Sequence, residues 1–216
     1  MAIERAAVIG AGVMGSGIAA HIANAGVPVL LLDIVPKDAP EGGRSAIAEG
    51  AVAKLLKTDP APFMHRRNAK LVTPGNIEDD LDKLADCDWI VEAVLEDLSI
   101  KQSLYKQIEK HRKKGSIVSS NTSTLPIAVL TKSLPAGFAK DFLVTHFFNP
   151  PRYMRLLEIV AGSKTRAAAV DTIREFCDRR LGKGVVEAKD TPGFIANRLG
   201  AFWIEAAVSG AVEGGL

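Results

Sequence analysis

Ala6-Ala7-Val8-Ile9 runs directly into Gly10-Ala11-Gly12-Val13-Met14-Gly15-Ser16-Gly17, and an Ala/Ile-rich stretch of helical character follows. Strand, glycine turn and helix in this order decide the fold. The apolar strand ends at Gly10, the absent side chain of Gly12 leaves room for a pyrophosphate, and Gly15 lets the helix pack close against the sheet. The turn frees backbone N–H groups, and the positive end of the helix dipole adds to them, so the site suits a diphosphate. Val13 and Met14, inside the same turn, join Gly10, Gly12 and Gly15 as candidate cofactor contacts. The bare glycine pattern is weak evidence, and its context makes it specific.

Working outward, Val27-Pro28-Val29-Leu30-Leu31-Leu32 is a second apolar run that ends at Asp33, eighteen residues past Gly15. A carboxylate there accepts hydrogen bonds from the adenosine ribose hydroxyls and repels an extra phosphate, which selects NAD over NADP. Lys37 and Arg44 lie nearby as candidate partners of a 2′-phosphate, although Pro36, Pro40 and Gly42-Gly43 place them in a loop.

The 216 residues can bury a real core and are enough for one large α/β domain with the beginning of another. The net charge is +2, from 27 basic and 25 acidic residues mixed along the chain, which makes no case for nucleic acid. No apolar stretch reaches the roughly 18 residues of a membrane span, and Glu4-Arg5 do not open a signal peptide, so the expectation is a cytoplasmic protein. Cys87 and Cys177 lie far apart with no metal-ligand spacing and read as reduced structural thiols.

Apolar strands alternate with helical periodicity through the rest of the chain. Strands are expected at Leu71-Val72, ending at Thr73-Pro74-Gly75, at Trp89 to Val94, at Ile117 to Ser120, at Phe142 to Phe148, from Leu156 to Val160 and at Val185-Val186. Helices are expected at Ser45 to Lys57, Ile100 to Glu109 and Lys164 to Arg180, and from Pro192 onward. The pattern predicts an α/β fold, a doubly wound, mainly parallel Rossmann-type sheet. Lys54, Lys57, Arg66, Arg67 and Lys70 form a basic stretch that reads equally as a grip for a phosphate-bearing handle or as a solvated face.

His146 and Glu158 are twelve residues apart on neighbouring apolar strands, with Arg152 at the midpoint of a Pro-rich connection. An antiparallel hairpin sets them opposite each other, so a carboxylate holds one imidazole nitrogen and the other faces a substrate. A histidine in an apolar strand is more often structural, but His146 and Ser123 both sit near carboxyl ends of strands, where open parallel sheets bind ligands.

These residues belong to four blocks. They are Gly10 to Ala19, Ser120-Asn121-Thr122-Ser123, His146-Phe147-Phe148-Asn149-Pro150, and Asp190-Thr191-Pro192-Gly193-Phe194-Ile195-Ala196-Asn197-Arg198. In order and spacing they resemble the L-3-hydroxyacyl-CoA dehydrogenases, over essentially the whole chain. The resemblance implies NAD-dependent oxidation of (S)-3-hydroxyacyl-CoA to 3-ketoacyl-CoA in fatty-acid β-oxidation. It implies His146 as general acid/base polarised by Glu158, with Ser123 and Asn197 binding the reacting oxygen and positioning the substrate. It places Asp33 at the adenosine ribose, Glu96, Lys101, Ser123 and Asn149 along the rest of the cofactor path, and Lys57 at the CoA moiety. Gly50 departs from the serine that some relatives use near CoA.

Family members continue into an all-helical domain that closes the cleft and makes a homodimer. The expected organisation is therefore a cofactor domain over residues 1–188, with residues 189–216 as the first helix of a truncated helical domain, similar to the N-terminal part of a multifunctional β-oxidation enzyme. Two other readings stay open: a dehydrogenase of a small hydroxy acid without CoA, and an NAD-binding fragment or structural protein without turnover.

Overall fold

Ala6–Ile9 form β1, and all four side chains are buried at the centre of one sheet. The computed structural model describes residues 2–40 and 42–215. After β1 come α1 (Val13–Asn24), β2 (Val29–Asp33) and α2 (Ala46–Leu55). A single-turn 3-10 segment at Arg66–Leu71 leads to β3 (Val72–Asn76), and another at Leu81–Asp86 leads to β4 (Trp89–Glu92). Then follow α3 (Leu98–His111), β5 (Ile117–Ser120), α4 (Ile127–Leu130), α5 (Ala136–Asp141), β6 (Phe142–Phe147) and β7 (Leu156–Ala161). The last elements are α6 (Ala167–Glu175), β8 (Gly184–Ala188) and α7 (Ala196–Glu213).

The eight strands lie in the order β3-β2-β1-β4-β5-β6-β7-β8. All neighbours are parallel except β6 and β7, which run antiparallel with His146 directly opposite Glu158. The central strands are buried on both faces and read as continuous apolar runs, while the edge strands β3 and β8 are partly exposed. Alternate residues feed two cores. Ala6, Val8, Val29, Leu31, Trp89 and Val91 pack with residues of α1 and α6 on one face, while Ala7, Ile9, Leu30, Leu32 and Ile90 pack with α3 and α5 on the other.

The strand and helix expectations hold, with differences at element ends. β3 runs through Pro74 and Gly75 rather than stopping there, because it is an edge strand and a missing N–H on the outer side costs no ladder bond. The helix expected over 164–180 is α6 followed by a π-helical turn at Phe176–Arg180. The short helices α4 and α5 lie where the sequence pattern predicts no element. Pro192 does not open the last helix; Gly193 and Phe194 take positive φ of 75° and 45°, so the chain turns before α7 begins at Ala196. α7 buries none of its residues, leaving Phe202, Trp203 and Ile204 exposed. No helix among the described residues is long and apolar enough to cross a membrane.

His21 on α1 is buried, its Nε2–H donates to the Leu181 carbonyl at 3.1 Å, and its Nδ1 has no partner. Burial, and then the positive charges of Lys183 and Arg152, push its pKa down to about 4. The unfolded chain binds this proton near pH 6.5 and the folded chain does not, so stability falls as pH drops from 6.5 towards 4. We expect a loss on the order of 3 kcal/mol across that window, checked by urea unfolding at several pH values. His21→Gln keeps the donor and should remove this part of the acid sensitivity.

Candidate active site

β1 delivers its carboxyl end to Gly10, whose φ of +103° is open to glycine and whose added Cβ would lie 2.5 Å from the Ala93 carbonyl oxygen. A Cβ on Gly15 would lie 1.8 Å from the Gly10 oxygen, so α1 packs against the loop only because that atom is absent. Gly12 faces open space and caps α1 without a side chain, which leaves first-turn amides for an anion. The loop opens on a cavity of about 860 Å³ lined by Gly10, Gly12, Val13, Met14, Asp33 and Asn121 among others.

Asp33 stands at the end of β2, accepting from the Ala11 N–H at 2.5 Å and from the Ile34 N–H at 2.7 Å. Each oxygen keeps a lone pair for a diol. Arg44, the candidate for a 2′-phosphate, is instead held by Asp79 at 2.6 Å and Glu78 at 2.8 Å. Lys37 is exposed on the loop. The donor set thus fits a dinucleotide whose adenosine ribose carries two free hydroxyls.

Beside the cavity, the β6/β7 hairpin holds the proton-transfer candidates. His146 Nδ1 lies 2.7 Å from Glu158 Oε2, and its Nε2 lies 3.0 Å from Ser123 Oγ. A carboxylate only accepts, so the proton of the first contact sits on Nδ1 and Nε2 accepts from the Ser123 hydroxyl. Both residues are buried, Glu158 to 1 % exposure. The other Glu158 oxygen, Oε1, accepts from the Ile195 and Ala196 N–H groups at 2.9 and 2.8 Å, at the start of α7. The rings of Phe148 and Phe194 stand 4.5 and 5.6 Å from the imidazole centroid. The hairpin itself is clamped by Lys183, whose Nζ donates to the carbonyls of Pro151 and Met154. Burial pushes its pKa down to about 8.

Ser123 is held in turn. Glu96 accepts from the Thr122 hydroxyl, from the Ser123 N–H at 3.2 Å and from the Thr124 hydroxyl at 3.2 Å. Burial by itself would raise the Glu96 carboxyl, but the Thr122 bond and the Lys101 charge outweigh it and hold it below its ordinary value. Lys101, expected on the cofactor path, borders the cavity, yet its side chain is 1 % exposed and its ammonium is committed to Glu92 at 2.6 Å and Glu96 at 3.2 Å. Glu92 also accepts from Tyr105 at 2.5 Å, Ser120 at 2.6 Å and the Val94 N–H at 2.8 Å. Burial, then the Glu92 charge, drives the Tyr105 phenol well above its ordinary range.

The structure therefore gathers Ser123, His146 and Glu158 in one chain of contacts, and Gly10, Gly12, Val13, Met14, Asp33 and Lys101 around one cavity. Gly15 acts behind the wall, as the packing contact. Asn149 and Asn197 are exposed and outside the cavity lining, with Asn197 next to the Ala196 amide that Glu158 holds. Lys57 is at least 24 residues from any of these in sequence and lines a separate groove of about 490 Å³ with Gly50, Ala53, Lys54 and Thr58. Glu92, Tyr105, Asn121 and Phe194 have no individual site role from sequence, although Asn121 and Phe194 stand in the four blocks. The available signal was Glu92 itself, a carboxylate closing an otherwise apolar strand.

The chain matches the family described as 3-hydroxyacyl-CoA dehydrogenase, NAD binding domain, over residues 5–191. It belongs to that family. A probable 3-hydroxyacyl-CoA dehydrogenase of Deinococcus radiodurans is 50% identical over 204 residues, covering 94% of this chain and 58% of that protein. One from Bacillus subtilis is 47% identical over 225 residues, covering 99% of this chain and 28% of that protein. The crystal structure of FadB2 from M. tuberculosis superposes with a TM-score of 0.83 at 31% identity, covering 100% of this chain and 74% of that one. The chain thus spans 28% and 58% of the two curated relatives. Its cofactor is the NAD of the family's domain.

Asp33→Ala removes the acceptor for the ribose diol. We expect NADH affinity to fall about tenfold and the gap between NADH and NADPH to narrow, measured by fluorescence titration with each nucleotide.

Proposed function

We propose that this chain carries the proton-transfer and cofactor half of an NAD-dependent oxidation of (S)-3-hydroxyacyl-CoA to 3-ketoacyl-CoA. The observation that supports it is the buried Ser123–His146–Glu158 chain of hydrogen bonds beside the dinucleotide cavity. NAD, held by the Gly10–Gly15 turn and Asp33, would supply the hydride acceptor for C3 of the substrate. His146 Nε2 takes the hydroxyl proton in the same event, an exchange suited to an imidazole near neutral pH. Glu158 fixes the tautomer and offsets the charge of the imidazolium that forms. Ser123, on the same nitrogen, donates to or accepts from the reacting oxygen, and Asn197 positions the substrate from the start of α7. Asn149 and Glu96 border the nicotinamide end of the path.

Lys57 and its groove serve the CoA handle in this reading, where Gly50 leaves open space instead of a hydroxyl. We assign residues 1–188 to the cofactor domain and 189–216 to a helical segment whose exposed apolar side chains suit packing by a helical domain and homodimerisation of the full-length enzyme. A cytoplasmic setting goes with two buried free cysteines.

The test is acetoacetyl-CoA-dependent NADH oxidation. The expected result is turnover that needs the CoA handle and falls roughly 10²- to 10⁴-fold in His146→Gln, while NADH still binds. Equal efficiency with free acetoacetate would replace the CoA substrate by a small acid. Normal turnover in His146→Gln would remove the acid/base assignment.

A further inference from the structure

We propose that Phe194 is a positioning residue for His146: its left-handed backbone delivers the Ile195 and Ala196 amides to Glu158, and its ring walls the imidazole. The inference rests on His146 being the acid/base. Phe194 has φ of 45°, and it is the one non-glycine residue with positive φ among the described residues. A side chain in that region is strained and persists where its surroundings over-determine it. Gly193, one residue earlier, meets the same demand at φ 75° without strain. The chain nevertheless keeps an aromatic side chain at the next position.

Two sets of contacts hold it there. The ring is 3 % exposed and sits in the apolar core with Val144 and Val160, the strand neighbours of His146 and Glu158. It meets the His146 ring at 5.6 Å and 62°, edge to face, an arrangement that restricts imidazole rotation. On the backbone side, the Phe194 N–H donates to the Thr191 carbonyl at 2.9 Å, which closes the turn. The next two N–H groups then point at Glu158 Oε1. The carboxylate that orients the imidazole is itself oriented by two amides, and their direction is set at Phe194. An ordinary helix start, with Pro192 as its first residue, would have aimed those amides elsewhere.

The experiment uses the full 216-residue chain with ¹⁵N-labelled histidine. Phe194→Gly admits the turn and deletes the ring. Phe194→Leu keeps buried bulk without the ring, and Phe194→Tyr keeps the ring. The readouts are the hydrogen-bonded Nδ1 proton signal of His146 by NMR, NADH affinity, and turnover of acetoacetyl-CoA. We expect the glycine and leucine variants to broaden or lose the His146 signal and to lose about tenfold in kcat, with NADH affinity within about twofold of the parent, and tyrosine to restore both. A sharp signal with kcat within about twofold in Phe194→Gly overturns the proposal. If that variant fails to bind NADH, Phe194→Leu decides by the same criterion. If the 216-residue parent binds NADH without reducing acetoacetyl-CoA, the NMR criterion decides for Phe194 and the kcat comparison moves to the full-length enzyme, where absent turnover sinks the reaction reading and leaves the role of Phe194 standing.

Discussion

Glu158 is a carboxylate withdrawn almost wholly from water, and its cost of burial is offset only because both oxygens are occupied, one by His146 Nδ1 and the other by two backbone amides. The rest of the site hangs on that sharing. With the carboxylate fixed, the imidazole has one tautomer and Nε2 is free to act towards Ser123 and whatever lies beyond it. The hairpin that makes the pair is the single antiparallel junction of an otherwise parallel sheet. Directly opposed side chains on one face belong to that geometry, whereas parallel neighbours are staggered. The reversal of chain direction at β6/β7 and the His146–Glu158 contact are therefore one feature.

A second buried carboxylate, Glu92, organises the approach from the cofactor side. It gathers Lys101, Tyr105 and Ser120 below the floor of the cavity, and Lys101 carries the connection on to Glu96 and the loop of Ser123. The cavity wall and the Ser123–His146 contact are in this way braced from two directions. One brace comes through α3 and β4, the other through β7 and the start of α7. Removal of any single polar member leaves a buried partner unsatisfied, which costs more than the net worth of the bond.

Much of this was legible in the sequence because it is local or periodic. The glycine turn is a contiguous signal with a steric cause, and the Gly15 contact to the Gly10 carbonyl bears it out. The His146–Glu158 pairing follows from spacing about a hairpin midpoint, and the register agrees residue for residue. What escaped is non-local or too short to show a period. Helices α4 and α5 have four and six residues, less than two turns, and owe their shape to packing. Pro192 carries the usual mark of a first helical residue, and only the strained backbone at Phe194 moves the start to Ala196. Lys101 is placed on the cofactor path by the resemblance alone, with no local signal for its partners. Its charge is spent inside the protein on Glu92, 9 residues away in sequence, a partner no charge count could single out.

The Glu92–Lys101 contact also constrains how the chain can diverge. Both charges lie out of water, so exchange of Lys101 by a neutral residue leaves Glu92 with neutral donors only, and exchange of Glu92 leaves the ammonium with Glu96 alone. The two positions are therefore open to change only together. Tyr105 and Ser120, which share the Glu92 carboxylate, would have to move with them. Substitution at this point of the chain is therefore coupled across four residues rather than independent at each.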